Sequence, residues 1–211
     1  MEQYDKILSN LNCTFESYKK YMVDYLEMDN LVIYIKTSLI FSVLQRSLSM
    51  IDAYSKLLKT NNIMVLNSIA RTQIDNCIFI YGVYILINNN ENINDIYHNF
   101  ISNNKKLSDY KIEKKKLHDT YIVSKLNEVY DGFEDMYKFY CRFVHCSDSA
   151  FLYSTSIIEN EKVEFSLSTN YQRYSEQCLI NADTFCVISN LVLTLIKQFW
   201  TQIDKGNRLS E

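Results

Sequence analysis

Apolar side chains recur along this chain mostly at spacings of three and four, the period of helices that bury one face. Between residues 3 and 27 the positions Tyr4, Leu8, Leu11, Phe15, Tyr18, Met22 and Tyr25 alternate steps of four and three. That is a narrow seam of coiled-coil type, suited to packing on a neighbouring helix or to a homodimer contact. Met28-Asp29-Asn30 interrupts the pattern. A second helix is predicted from Leu31 to Leu58, apolar on most sides in its first half and therefore central, with Arg46 and Asp52 punctuating its second half. Thr60-Asn61-Asn62 makes a turn, and a third helix is predicted over Ile63 to Asn88.

That third helix is the most informative stretch. From Asn67 it reads NSIARTQIDNCIFIYGVYILIN, too apolar over most of its length to face water. Arg71 and Asp75 nevertheless sit near its start, one turn apart on one face. Buried charges need partners, so something must satisfy this pair. Gly82 falls in mid-helix, where glycine costs about 1 kcal/mol relative to alanine; close approach of a neighbouring element is the expected reason.

The polar run from Asn88 to Asn94 is a loop. A short helix over Asp95 to Ile101 follows, then a basic segment carrying Lys105, Lys106, Lys111, Lys114, Lys115 and Lys116 against Asp109 and Glu113. Further helices are predicted over Tyr110 to Tyr130, ended or bent by Gly132, and over Phe133 to His145. Phe151 to Ile157 and Val163 to Leu167 alternate with period two, the signature of a β-hairpin. Two strands alone are marginal, so this hairpin must lie on the helices or pair elsewhere. A last helix runs from Tyr171 to Lys205, with Gly206 as its stop. No repeat or linker divides the chain, so residues 1–211 form one domain: an all-α bundle of six or seven helices with a small β-hairpin before the C-terminal helix.

Composition supports this. There is no proline and there are only 3 glycines in 211 residues, as long helices require and sheets do not. The formal net charge of -3 excludes a surface that is basic throughout, leaving the lysine segment as either a solvated surface or a local contact to RNA phosphates. The six cysteines form no C-x-x-C pair, and the N-terminus lacks a basic-then-apolar leader, so reduced thiols and a cytoplasmic location are expected. The longest apolar run, Cys77 to Ile87, is shorter than the roughly 20 residues a spanning helix needs. No membrane association is expected.

Phosphate-loop, dinucleotide and nucleophile-elbow motifs are absent. Cys141, His145 and Cys146 form one loose cluster, with His98 and His118 elsewhere, which is not the paired spacing of structural zinc. No metal or other cofactor is expected. The remaining candidates are Arg71, Asp75, Arg142 and His145. Arg142 lies one turn before His145, so both can project to the same side. A cleft holding arginine and histidine suits a phosphodiester, because arginine stabilises developing negative charge and histidine moves a proton. With RNA the adjacent 2′-hydroxyl serves as nucleophile and no metal is needed. Asp75 would orient Arg71 or His145. The same residues also fit a structural network in which Arg71 and Asp75 neutralise each other and His145 caps the following loop.

The run ARTQID at Ala70 to Asp75 and the later YKFYCRFVHCS at Tyr137 to Ser147 together resemble a family of bacterial all-helical proteins of unknown function. Its members carry an R-x-x-x-E helix and, before a long last helix, a Y-x-x-L-S-x-x-x-H-P-S stretch. Arg71, Tyr137, His145 and Ser147 match, over a span of about Ile40 to Ile203. Asp75 stands in place of the glutamate, and Tyr140, Cys141 and Cys146 replace the leucine, serine and proline. The resemblance implies an all-helical fold and a shared polar site. More distantly the chain is similar to HEPN ribonucleases, dimeric helical bundles with an R-x(4–6)-H motif. Here only two residues separate Arg142 from His145, so Arg71 would have to supply charge from another helix. The function expected is a HEPN-like, metal-independent ribonuclease or toxin-type effector, in the setting of bacterial defence. The alternative is a non-catalytic module that binds a protein partner, as an antitoxin, immunity or adaptor protein does.

Overall fold

The computed structural model describes residues 2–28, 35–145, 155–158, 162–165 and 174–208, with side chains over 2–24, 38–145 and 174–199. Within them lie seven α-helices: α1 (Glu2–Met28), α2 (Ile35–Leu57), α3 (Ile63–Asn88), α4 (Ile93–Ser102), α5 (Asp119–Val129), α6 (Phe133–Cys141) and α7 (Ser175–Arg208). Strands β1 (Lys111–Ile112) and β2 (Lys115–Lys116) form one antiparallel pair, and β3 (Thr155–Ile158) and β4 (Lys162–Phe165) another. The chain is a single helical bundle with a small hairpin before its last helix.

The centre belongs to α3, which packs on α2, α5, α6 and α7. Its apolar residues are buried on several sides, Ile63, Leu66, Ala70, Ile74, Cys77 and Leu86 among them. Over its described side chains α2 is more one-sided than the sequence suggests. Ile40, Leu44, Ile51 and Tyr54 point inward, whereas Ser42, Gln45, Arg46 and Ser49 are exposed. The buried row of α1 is Ile7, Leu11, Thr14 and Tyr18, where α1 meets α2 and α7. Of the predicted seam only Leu11 and Tyr18 fall on it, whereas Tyr4, Leu8, Phe15 and Met22 are half-buried and the Tyr25 side chain lies outside those described. Residues 175–199 of α7 are long and apolar enough to cross a membrane, but more than half of the apolar 18-residue window within them is buried in the bundle.

Polar side chains cross this interior in hydrogen-bonded pairs. Tyr18 donates its hydroxyl to the Ser189 carbonyl at 2.6 Å, and Gln73 Nε2 donates to Ser189 Oγ at 3.2 Å. Asn76 Nδ2 reaches both Ser47 Oγ and Gln73 Oε1 at 2.9 Å. Asn181 Nδ2 donates to Asn67 Oδ1 at 2.9 Å. Side chains on α2 and α7 thus bond the amides of α3, and Tyr18 ties α1 to α7, fixing the axial register of the four helices.

Three predicted elements differ. Residues 110–118 are not helical: the chain makes a 3₁₀ turn at Leu107–Asp109 and the β1–β2 hairpin before α5 begins at Asp119. Tyr110 and Ile112 are buried while Lys111 is exposed, a short period-two pattern inside what reads as a helical one. Glu113 and Lys114 close the hairpin with φ of 48° and 70°, the left-handed pair that a two-residue turn needs and that asparagine and glycine usually supply. The helix expected over Phe133 to His145 stops at Cys141 and loosens. Arg142, Phe143 and Val144 donate to the carbonyls three residues back, at 3.2–3.4 Å. Gly206 lies inside α7 and does not end it. The second hairpin forms where expected, taking in Ile158 and Lys162 as well; its predicted residues 151–154, 166 and 167 lie outside those described. Gly132, with φ of 80°, makes the left-handed turn into α6.

Gly82 is where close approach matters. A Cβ placed on it would lie 2.7 Å from Leu107 Cδ1 and 3.0 Å from Ile122 Cδ1. The glycine lets the 3₁₀ turn and α5 settle on α3. In urea unfolding, Gly82→Ala is expected to be near neutral, because its gain in helix propensity of about 1 kcal/mol offsets a shift of the flexible Leu107 end. Gly82→Leu should lose about 2–3 kcal/mol through overpacking. Replacing Glu113-Lys114 by Asn-Gly should raise stability by about 1 kcal/mol, since both positions then favour positive φ; no change would count against the hairpin.

Candidate functional site

The partner of the buried charge on α3 comes from α3 itself and from α6. Arg71 donates to the Asp75 carboxylate through Nη1, one turn along, and its Nε–H points at Cys141 Sγ 3.3 Å away. Its guanidinium carbon lies 4.6 Å from the centre of the Tyr137 ring, in cation–π contact. Ser68 Oγ, one turn earlier, is 3.2 Å from the Phe143 carbonyl and secures the end of α6 against α3. Burial alone would disfavour charge on Arg71. The Asp75 carboxylate beside it outweighs that, so the guanidinium is held protonated more firmly than a free arginine. Burial, and then the neighbouring Cys141, raises the Tyr137 phenol above its ordinary value, with Arg71 acting the other way.

The two stretches singled out in the sequence therefore do meet, but through Cys141 and Tyr137. Arg142 and His145 are exposed in the turn after α6. Cys146 and Ser147, part of the family-like stretch, lie outside the described residues. The pair itself is asymmetric: the Arg71 side chain is 9% exposed and that of Asp75 39%. Asp75 faces outward into an open cleft.

This cleft has a volume of ≈ 1130 Å³ and is bounded by α2, α3, α4, the 3₁₀ turn and the start of α5. Arg46 from α2, Lys105 and Lys106 from the loop after α4, and His118 before α5 bring cationic or ionisable nitrogen to its rim. Asp75 and Asp119 bring carboxylates, one of them already paired with Arg71. Ile78, Phe79, Phe100 and Leu107 make its apolar floor. The lysine loop is anchored by its backbone. Lys105 N–H donates to the Asn99 carbonyl at 3.0 Å, and Lys106 N–H to the Asp109 carboxylate at 2.7 Å. Lys105 Nζ stands 4.0 Å from the centre of the Tyr110 ring. Of the six lysines in the basic segment only these two line the cleft; Lys111, Lys114, Lys115 and Lys116 are exposed on and around β1 and β2.

Sequence reasoning thus named Asp75, Lys105 and Lys106 and missed Arg46, His118 and Asp119 as site residues. Those three sit on exposed helix or loop positions with ordinary spacing. A sequence signal existed only for His118, which lies two residues after the lysine run and precedes a helix start. Among the described residues no three His, Cys, Asp or Glu side chains gather as a metal site requires.

The exposure difference within the Arg71–Asp75 pair sets a stability order. Arg71→Met removes the sequestered charge and leaves a carboxylate that water reaches, at a cost of about 1 kcal/mol. Asp75→Ala strands a guanidinium that water hardly reaches and should cost about 3 kcal/mol. Chemical denaturation of the two variants checks this, and equal losses would refute it.

No family model matches the chain, and neither curated proteins nor solved structures return a match. What the cleft does is to be read from its side chains.

Proposed function

We propose that the cleft binds RNA through its phosphates and cleaves it without a metal ion, the activity that the distant likeness to HEPN ribonucleases implies. The observation that carries this is the convergence of Arg46, Lys105, Lys106 and His118, from separate segments of an acidic chain, on one cleft. Cations gathered this way offset the charge of a phosphodiester and of the phosphorane-like state formed on attack. His118 is the imidazole placed to move protons there, with Asp75 and Asp119 in the same cleft as acceptors. In the reaction the ribose 2′-hydroxyl loses its proton to the base. Its oxygen bonds to the adjacent phosphorus, and the bond from phosphorus to the 5′-oxygen breaks. The leaving oxygen takes a proton, giving a 2′,3′-cyclic phosphate and a 5′-hydroxyl end.

In this reading Arg71 does not hold substrate. It is a positioning residue, neutralising Asp75 from the protein side while the carboxylate faces the cleft. His118 takes the role that spacing alone suggested for His145.

Incubating the protein with RNA in the presence of chelator tests the reading. The wild type should cleave, His118→Ala should lower kcat about 100-fold or more, and His145→Ala should change it little. Lys105→Met with Lys106→Met should mainly raise KM and flatten its salt dependence. Full activity of His118→Ala overturns the assignment. RNA bound but not cut by the wild type would leave a non-catalytic binding module.

A further inference from the structure

We propose that Phe79 and Phe100 form a stacking subsite for an unpaired nucleobase whose phosphate lies against Lys105, Lys106 and Arg46. The proposal rests on reading the cleft as a phosphate-binding site. Its own evidence is the apolar floor, which a site for phosphate alone has no use for. The two rings lie 5.4 Å apart, tilted by 46°, and both are only half-buried where they line the cleft. Phe100 also meets Tyr110 edge-on at 6.1 Å, and Lys105 Nζ stands over Tyr110. A run of aromatic rings, of which Phe79 and Phe100 line the cleft and Tyr110 is buried behind them, thus ends at a cation. A nucleotide presents the matching order, a flat base and then an anion. Stacking on aromatic rings supplies affinity that tolerates any base. A base inside a duplex is already stacked on both sides and cannot reach such a floor.

The test is titration of the full chain with adenosine 5′-monophosphate and with ribose 5-phosphate, which carries the same phosphate and no base. The nucleotide should bind about tenfold more tightly. Phe100→Leu, which keeps an apolar side chain but loses the ring, should bring the ratio close to one, and Phe100→Trp should preserve it. A wild-type ratio near one, no binding of either compound, or a ratio indifferent to Phe100→Leu in a folded variant overturns the subsite. A single-stranded 2′-deoxy oligonucleotide separates the sources: binding tighter than the mononucleotide assigns the subsite to a chain, equal binding to a free nucleotide, and its own duplex should compete poorly. Equal competition by the duplex also overturns it. RNA cleavage with a ratio of one refutes stacking and leaves the ribonuclease reading intact. A base-dependent ratio without cleavage does the reverse.

Discussion

A helix buried on most of its circumference can carry polar side chains only where its neighbours satisfy them, and α3 carries four: Asn67, Arg71, Gln73 and Asn76. Each fixes a neighbour. Asn67 ties α7 through Asn181, Gln73 ties α7 through Ser189, Asn76 ties α2 through Ser47, and Arg71 ties α6 through Cys141 and Tyr137. Apolar packing would hold these helices together in several registers. An amide or guanidinium left without its partner in the interior costs about 1–3 kcal/mol or more, and that penalty selects one register. Asn67 Nδ2 and Asn76 Oδ1 remain without partners among the described residues, so the network is satisfied at most of its atoms and not all.

The cleft is a consequence of that arrangement. Arg71 is pinned from behind, so Asp75 is turned to the open side. On the same helix Gly82 leaves room for Leu107 and Ile122 that a side chain larger than alanine's would take, letting the 3₁₀ turn and α5 settle onto α3. The lysine loop, anchored at Lys105 and Lys106, then stands on one rim, with His118 and Asp119 on another. An acidic protein acquires a locally basic groove because its chain path brings together cations that are far apart in sequence.

This explains which parts the sequence disclosed. The helices whose apolar spacing runs unbroken were legible: α1, α3 and α7 extend about as their patterns say, and Gly82 already signalled a close approach. Residues 110–118 were not, because Tyr110, Ile112 and Leu117 also fit a helical face and the turn uses Glu113 and Lys114 at positive φ instead of an asparagine and a glycine. Of the site, Arg71 and Asp75 were visible as charges among apolar neighbours. Arg46 and His118 were not, because an exposed cation looks the same in sequence whether it borders a groove or open solvent. Only the crossing of α2, α3 and α5 distinguishes the two.

The same contrast separates two kinds of charge in this protein. Arg71 is conspicuous, but its Nη1, its Nε and a face of its guanidinium are engaged by Asp75, Cys141 and Tyr137 inside the bundle. Presenting it to an incoming phosphate would require breaking the contacts that hold α6 on α3, and the phosphate would have to compete with a carboxylate already in place. The cations at the cleft rim are less enclosed: Arg46 and Lys106 are exposed, and Lys105 is half-buried against the Tyr110 ring. A charge that organises the interior and a charge that receives a ligand thus place opposite demands on exposure. Asp75 has one side toward the guanidinium and the other toward the cleft.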